Sequence, residues 1–266
     1  MKTKTKGFLL TASVCLAMAF TLSCSSDDWL GDPSSSSNGG GDPSSSSNGG
    51  GDPSSSSNGG GEPSSSSGGG GNSIIYEDET YPTVDIGTQT WLAKNLNYAV
   101  EGSKCYDNDP DYCVQYGRLY DWETALTVCP SGWHLPSDDD WDKLFLYVDS
   151  QNDGEGSGGS PYDSYTAGKY LKATSGWNEY CSWNEDDDCE LKSGNGTDKY
   201  GFSALPGGYG DSGGSFNYVG DYGFWWSASE NDSYGAYYRI MYYDSEYAYW
   251  LNGIKSLLFS VRCVKD

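Results

Sequence analysis

The sequence predicts an α+β domain of two to three short helices and a looped antiparallel sheet, stapled by disulfides. Three observations predict it. The chain of 266 residues carries 8 cysteines and 37 glycines, a usage typical of exported, loop-rich domains. Helical periodicity is clearest near the middle, where Trp141, Leu144, Phe145 and Val148 share one face at i, i+3, i+4 and i+7. After Tyr200 the pattern changes to aromatic and aliphatic runs separated by glycine-rich turns, which reads as strands. About 190 residues, 76–266, form one domain with volume for a real core.

The elements follow in chain order. Thr83 to Ile86, the turn Gly87-Thr88 and Gln89 to Leu92 read as a hairpin. Asp121 to Val128 reads as a short helix stopped by Pro130. Ser137 can cap a second helix over Asp138 to Val148, and Asp140 completes a capping box. A third short helix runs from Ala167 to Lys172. Strands are predicted around Phe224-Trp225-Trp226, Ala236 to Tyr243, Tyr247 to Leu251 and Leu257 to Val264. Six cysteines fall in this region and allow fifteen connectivities. Cys105/Cys113 and Cys181/Cys189 share one spacing and enclose acidic, turn-prone segments. Pairing within each leaves Cys129 to Cys263, a bridge from the front half to the last strand. With one histidine in the chain, disulfides are favoured over metal thiolates, and neither a metal nor a cofactor is predicted.

The N-terminus reads as an address. Lys2, Lys4 and Lys6 precede an apolar stretch from Gly7 to Leu22, the plan of a signal peptide over residues 1–23. Thr21-Leu22-Ser23-Cys24 resembles a bacterial lipobox, which makes Cys24 the acylated first residue of the mature chain. Residues 24–75 read as a tether. The unit Gly-Asp-Pro-Ser-Ser-Ser-Ser-Asn-Gly-Gly begins at Gly31, Gly41 and Gly51, with a Glu62 variant from Gly61. It has no large apolar side chain to offset the entropy of ordering. Such a coil reaches roughly 35–42 Å. The expected location is the outer membrane, facing outside, held through the lipid anchor only.

Charge excludes some partners. Asp and Glu total 38 against 15 Lys and Arg, a formal net charge of −23. Nucleic acid is excluded, because phosphate binding needs a basic face. Asp107, Asp109 and Asp111 superficially resemble a calcium loop but lack its glycine and distal glutamate. Asp186-Asp187-Asp188 reads as a solvated charge run. His134, the lone imidazole, sits in a turn motif and reads as structural. No catalytic residue is assigned, and no enzyme is expected.

Several stretches then resemble a family. Tyr81-Pro82-Thr83-Val84, Ile86 to Trp91, Tyr116 to Trp122, Cys129 to Ser137, Gly201 to Gly208, Trp225-Trp226-Ser227-Ala228 and Phe259 to Val264 are similar to the Fibrobacter succinogenes major paralogous domain. The resemblance covers 81–266. It implies a large paralogous set of exported bacterial proteins and carries no activity with it. Gly132 to Ser137 with Trp141, and Ser260 to Val264, more distantly resemble formylglycine-generating-enzyme-like domains. That likeness implies a C-type-lectin-like fold. It does not extend to their chemistry: the late redox cysteine pair is missing, and the calcium-dependent sugar motif of C-type lectins is absent.

The segment from Tyr209 to Trp250 is rich in tyrosine, interleaved with Gly, Ser, Asn and Asp, as in a paratope. Aromatic faces stack on sugar rings while neighbouring Asp and Asn take hydroxyls. The residues assigned to a ligand-binding face are Tyr222, Trp225, Trp226, Tyr234, Tyr237, Tyr238, Tyr242, Tyr243, Tyr247 and Trp250. The expected ligand is an extracellular glycan or polysaccharide, with a surface protein as the alternative partner. Strand alternation sends some of these rings into the core, and Trp225 and Trp226 are expected to split, one buried and one at a rim.

Overall fold

The computed structural model describes residues 72–152, 163–185 and 187–266. The leader 1–23, Cys24, the tether up to Gly71 and Asp186 lie outside the described residues. Helix and sheet are mixed, with strand predominating. In chain order the elements are β1 (Ser73–Tyr76), β2 (Glu79–Ile86), β3 (Gln89–Leu92), β4 (Ser103–Lys104), α1 (Pro110–Tyr116), β5 (Leu119–Tyr120) and α2 (Trp122–Ala125). They continue with β6 (Trp133–His134), α3 (Asp138–Ser150), α4 (Ala167–Leu171), β7 (Glu179–Trp183), β8 (Cys189–Ser193), β9 (Gly207–Gly210) and β10 (Phe216–Val219). The last are β11 (Tyr222–Glu230), β12 (Gly235–Tyr242), β13 (Ala248–Ile254), β14 (Phe259–Ser260) and β15 (Val264–Lys265).

One sheet runs β1-β2-β3-β15-β6, so the last strand is inserted between elements from the front of the domain. The predicted hairpin is β2–β3, with Ile86 opposite Gln89 and Gly87 in the left-handed region its turn requires. β1 begins at Ser73, inside the segment read as tether, because Ile74 packs on the core and draws the chain into the sheet.

The larger sheet centres on β11, which pairs antiparallel with β12, and β12 with β13. Its other edge is shared by β9 and β14, both parallel to it. The sheet is therefore mixed, not purely antiparallel. The predicted strand Leu257 to Val264 splits into β14 and β15. Between them the chain leaves the larger sheet, and Arg262 and Cys263 turn inward with no exposure.

Helix α3 starts where the capping box predicts: Ser137 and Asp140 each bond the other's backbone. Trp141, Leu144, Phe145 and Val148 are all buried, each contributing about 2–3 kcal/mol of apolar transfer. α2 is shorter than predicted: Asp121 is its cap, accepting from the Thr124 amide at 2.8 Å, and the helix ends at Ala125. Helix α1 lies where the sequence suggested only a turn. Asp109 caps it and Pro110 opens it.

All three disulfides follow the predicted pairing: Cys105–Cys113, Cys129–Cys263 and Cys181–Cys189. The second spans 134 positions and restricts the unfolded chain by roughly 5 kcal/mol, against roughly 2.5 kcal/mol for each short loop.

Candidate functional site

Two cores flank the larger sheet. On one face Trp226, Phe224, Ile240 and Ala236 join Phe259, Val261, Tyr120 and Trp122. On the other Trp225 and Met241 join Trp91, Trp141, Phe145 and Phe202. Consecutive strand residues point to opposite faces, so a strand covered on both sides buries both of an adjacent pair. Trp225 and Trp226 accordingly have no exposure. Their indole nitrogens donate inside, Trp225 to Asn95 Oδ1 at 2.9 Å and Trp226 to the Tyr120 carbonyl at 2.8 Å. Neither forms a rim, and both leave the predicted binding set.

The other assigned rings divide by register. Tyr237 lies on the Trp225 face and stacks on Trp250 at 4.5 Å and 21°. Trp250 donates to Asp138 Oδ2 at 2.8 Å, and Arg239 beside it reaches Asp138 and Asp142, each at 2.9 Å. This pair thus belongs to a polar closure against α3. Tyr234 is 80% exposed but sits at the opposite end of the β11–β12 hairpin from Tyr222 and Tyr242. Tyr238 packs on Phe259 at 4.8 Å, and burial pushes its phenol up to about 12.

Among the described residues the Trp226 face has no such closure at the strand ends. There Tyr222 opposes Tyr242, and a continuous strip of rings crosses the strands. Tyr209 meets Tyr218 at 6.0 Å, Tyr218 stacks on Tyr222 at 4.5 Å, and Tyr222 meets Tyr242 edge-on at 4.7 Å. Tyr242 then meets Tyr249 at 5.1 Å and Tyr249 meets Tyr247 at 5.8 Å. Tyr218 and Tyr247 are exposed, the other four half-buried. Burial, then neighbouring phenols and Asp244, raise the Tyr242 phenol to about 12, so its hydroxyl is neutral at physiological pH.

Tyr218 has φ +64°, a conformation costing a bulky L-residue about 1–2 kcal/mol. It adopts this within β10, and the result is a ring laid flat on Tyr222 with 45% of the residue still in solvent. Strain of this kind persists where surrounding structure imposes it and clusters at functional sites.

Open grooves of 400 to 540 Å³ lie elsewhere, and none of the six rings lines them. Behind the strip, Lys172 is almost fully buried. Its ammonium donates to the carbonyls of Tyr242 and Ser245, each at 2.9 Å, and lies 4.9 Å over the Trp177 ring. Lys172 thereby fixes the β12–β13 turn that carries Tyr243 and Tyr247. Burial lowers its pKa to about 8.

The matching family model is that of the Fibrobacter succinogenes major domain, over residues 84–265. The chain belongs to that family. The match spans the second core, most of the first and the whole strip, so the strip lies within the major domain. No curated protein and no solved structure matches the chain.

Of the assigned residues, the major domain brings Tyr222, Tyr242 and Tyr247 into the strip, with Tyr243 at its side, 6.4 Å from Tyr222. Tyr209, Tyr218 and Tyr249 complete it, though none was in the assigned set. The sequence signal for Tyr249 was its alternation with Trp250 on one strand. None marked Tyr218, whose position depends on an irregular backbone. His134 is half-exposed, its ring nitrogens 2.7 Å from Asp266 and 3.3 Å from Asp140, joining the C-terminal end to the α3 cap. Among the described residues no group of three or more His, Cys, Asp or Glu side chains could hold a metal ion.

Proposed function

We propose that the chain is an exported, lipid-anchored surface protein, tethered through Cys24, whose major domain has a C-type-lectin-like arrangement and binds a glycan through the tyrosine strip. It acts as a binding protein and not as an enzyme. The reading is carried by one observation: Tyr218 is held at positive φ with its ring flat on Tyr222 and open to solvent. A core gains little from that arrangement. A stacking platform for pyranose rings needs it, because apolar ring faces must meet a flat aromatic surface. Tyrosine supplies such area at low entropic cost and keeps a hydroxyl for hydrogen bonding. An open strip outside the grooves suits an extended polymer better than a small molecule, whose sites are concave.

The test is pull-down on insoluble polysaccharide and titration with soluble oligosaccharides, using Tyr222→Ala and Tyr242→Ala. Each is expected to weaken binding roughly tenfold, about 1.4 kcal/mol. Tyr234→Ala, at the far hairpin end, should change nothing. Equal binding by all three variants would remove the strip from the function. Saturable capture of a surface protein with no glycan binding would favour the adhesive alternative.

A further inference from the structure

Charge around the centre of the strip is one-sided. The Tyr222 ring lies 4.7 Å from that of Tyr242 and 6.4 Å from that of Tyr243. The Tyr243 amide donates to the Asp221 carbonyl at 2.8 Å, which brings Asp221 and Asp244 to one corner. Burial raises the Tyr222 and Tyr243 phenols, and the negative charges of Asp244 and Asp221 raise them further. Asp221 accepts from Asn178 Nδ2 at 2.9 Å. Among the described residues neither carboxylate has a lysine or arginine within ion-pair distance. The charge of Asp244 acts on Lys172, but that ammonium is turned inward to carbonyls. Lys169 answers Glu246 at 3.1 Å.

The corner therefore offers ring faces and two unneutralised carboxylates. A ring face attracts a cation through its quadrupole, and a carboxylate beside it adds a direct charge interaction. Surface potentials of several kT repel anions from the same place. We propose that the strip takes a polysaccharide bearing primary amines, with an ammonium group seated among the Tyr222, Tyr242 and Tyr243 rings and the Asp221 and Asp244 carboxylates. The inference rests on the glycan reading above and narrows it to a substrate class.

A chain of charge −23 attracts any polycation, so the test separates this corner from bulk charge. Full-length protein in detergent micelles is titrated with hexamers of glucosamine, N-acetylglucosamine and galacturonate at low and high salt. The glucosamine hexamer is expected to bind at least tenfold tighter than the N-acetylated one. That preference should fall below threefold in the double variant Asp221→Asn with Asp244→Asn. It should persist in Asp107→Asn with Asp111→Asn, which removes equal charge from the Cys105–Cys113 loop. Equal affinity for the two amino-sugar hexamers overturns the inference, as does a preference that survives the corner variant or is lost equally in the control. Neutral glycans that bind through Tyr222 without any amine preference would leave the glycan reading standing and remove only this one. Failure of every neutral, amine-bearing and acidic glycan to bind would remove both.

Discussion

The two faces of the β11–β12–β13 unit carry similar aromatic content and end differently. On one, Tyr237, Trp250, Arg239 and Trp225 lie under α3, and the polar ends meet Asp138, Asp142 and Asn95. On the other, Trp226 and Phe224 are covered, but among the described residues no helix follows at the strand ends and the tyrosines form the boundary with water. The lesson is that aromatic richness does not mark a binding face. What distinguishes the faces is whether an acidic helix start arrives to satisfy the polar atoms. α3 opens with Asp138, Asp139 and Asp140 and closes one face. The other leaves its phenols at the boundary with water.

The sharpest way to break that comparison is Arg239→Ala. Arg239 has no exposure and holds Asp138 and Asp142. Removing it strands Asp142, whose carboxyl burial already raises despite the guanidinium. The expected loss is about 3–5 kcal/mol in chemical denaturation. A loss below about 1 kcal/mol would show that the closed face does not depend on this network.

A smaller effect separates the strip from its support. Lys172 has a pKa of about 8 when folded and about 10.4 when unfolded. Between those values the unfolded chain binds more protons, so stability rises with pH across this window. The gain is on the order of 3 kcal/mol. The buried tyrosines have raised pKa values and act in the opposite sense: their contribution is complete below about 10 and is lost above it. Denaturant midpoints should thus climb from pH 8 to near 10 and then fall. Lys172→Met should flatten the climb, and an equal climb in that variant would refute the assignment.

The smallest effect on stability sharpens the functional side. Tyr218→Gly relieves a positive φ and gives up one stacked ring pair, terms of about 1–2 and 0.5–1.5 kcal/mol that nearly cancel. Stability should stay within about 1 kcal/mol while glycan binding weakens roughly tenfold. Binding retained by this variant would leave the strained tyrosine without a function.

Much of the scaffold was legible from local rules. The β2–β3 hairpin, the Ser137–Asp140 box and the buried stripe of α3 follow from periodicity and capping, which act over a few residues. The disulfides followed from equal spacing of two cysteine pairs. Equal spacing did not foretell equal structure. Cys105–Cys113 closes on helix α1 with Cys113 buried, whereas Cys181–Cys189 staples the exposed hairpin β7–β8, with Trp183 and Leu191 more than half in solvent. Asp109-Pro110 carried the helix signal, and the acidic composition obscured it. For the site, the segment was legible and its division was not: four assigned rings were drawn to the opposite face, the far hairpin end or the second core, namely Tyr237, Trp250, Tyr234 and Trp225. Trp226 went to the first core.

The sequence alone determined which residues staple, cap and fill a helix face, because those interactions depend on type and short spacing. It also determined that the chain is acidic and rich in tyrosine. Only the tertiary structure decided which tyrosines meet one another. A one-residue change of register moves every side chain to the other face, and coverage of a strand on one side or both is set by elements far away in the chain. Trp225 is buried because α3 and Phe202 reach it, and Tyr222, three positions earlier, lies half-open because among the described residues no helix covers the strand end.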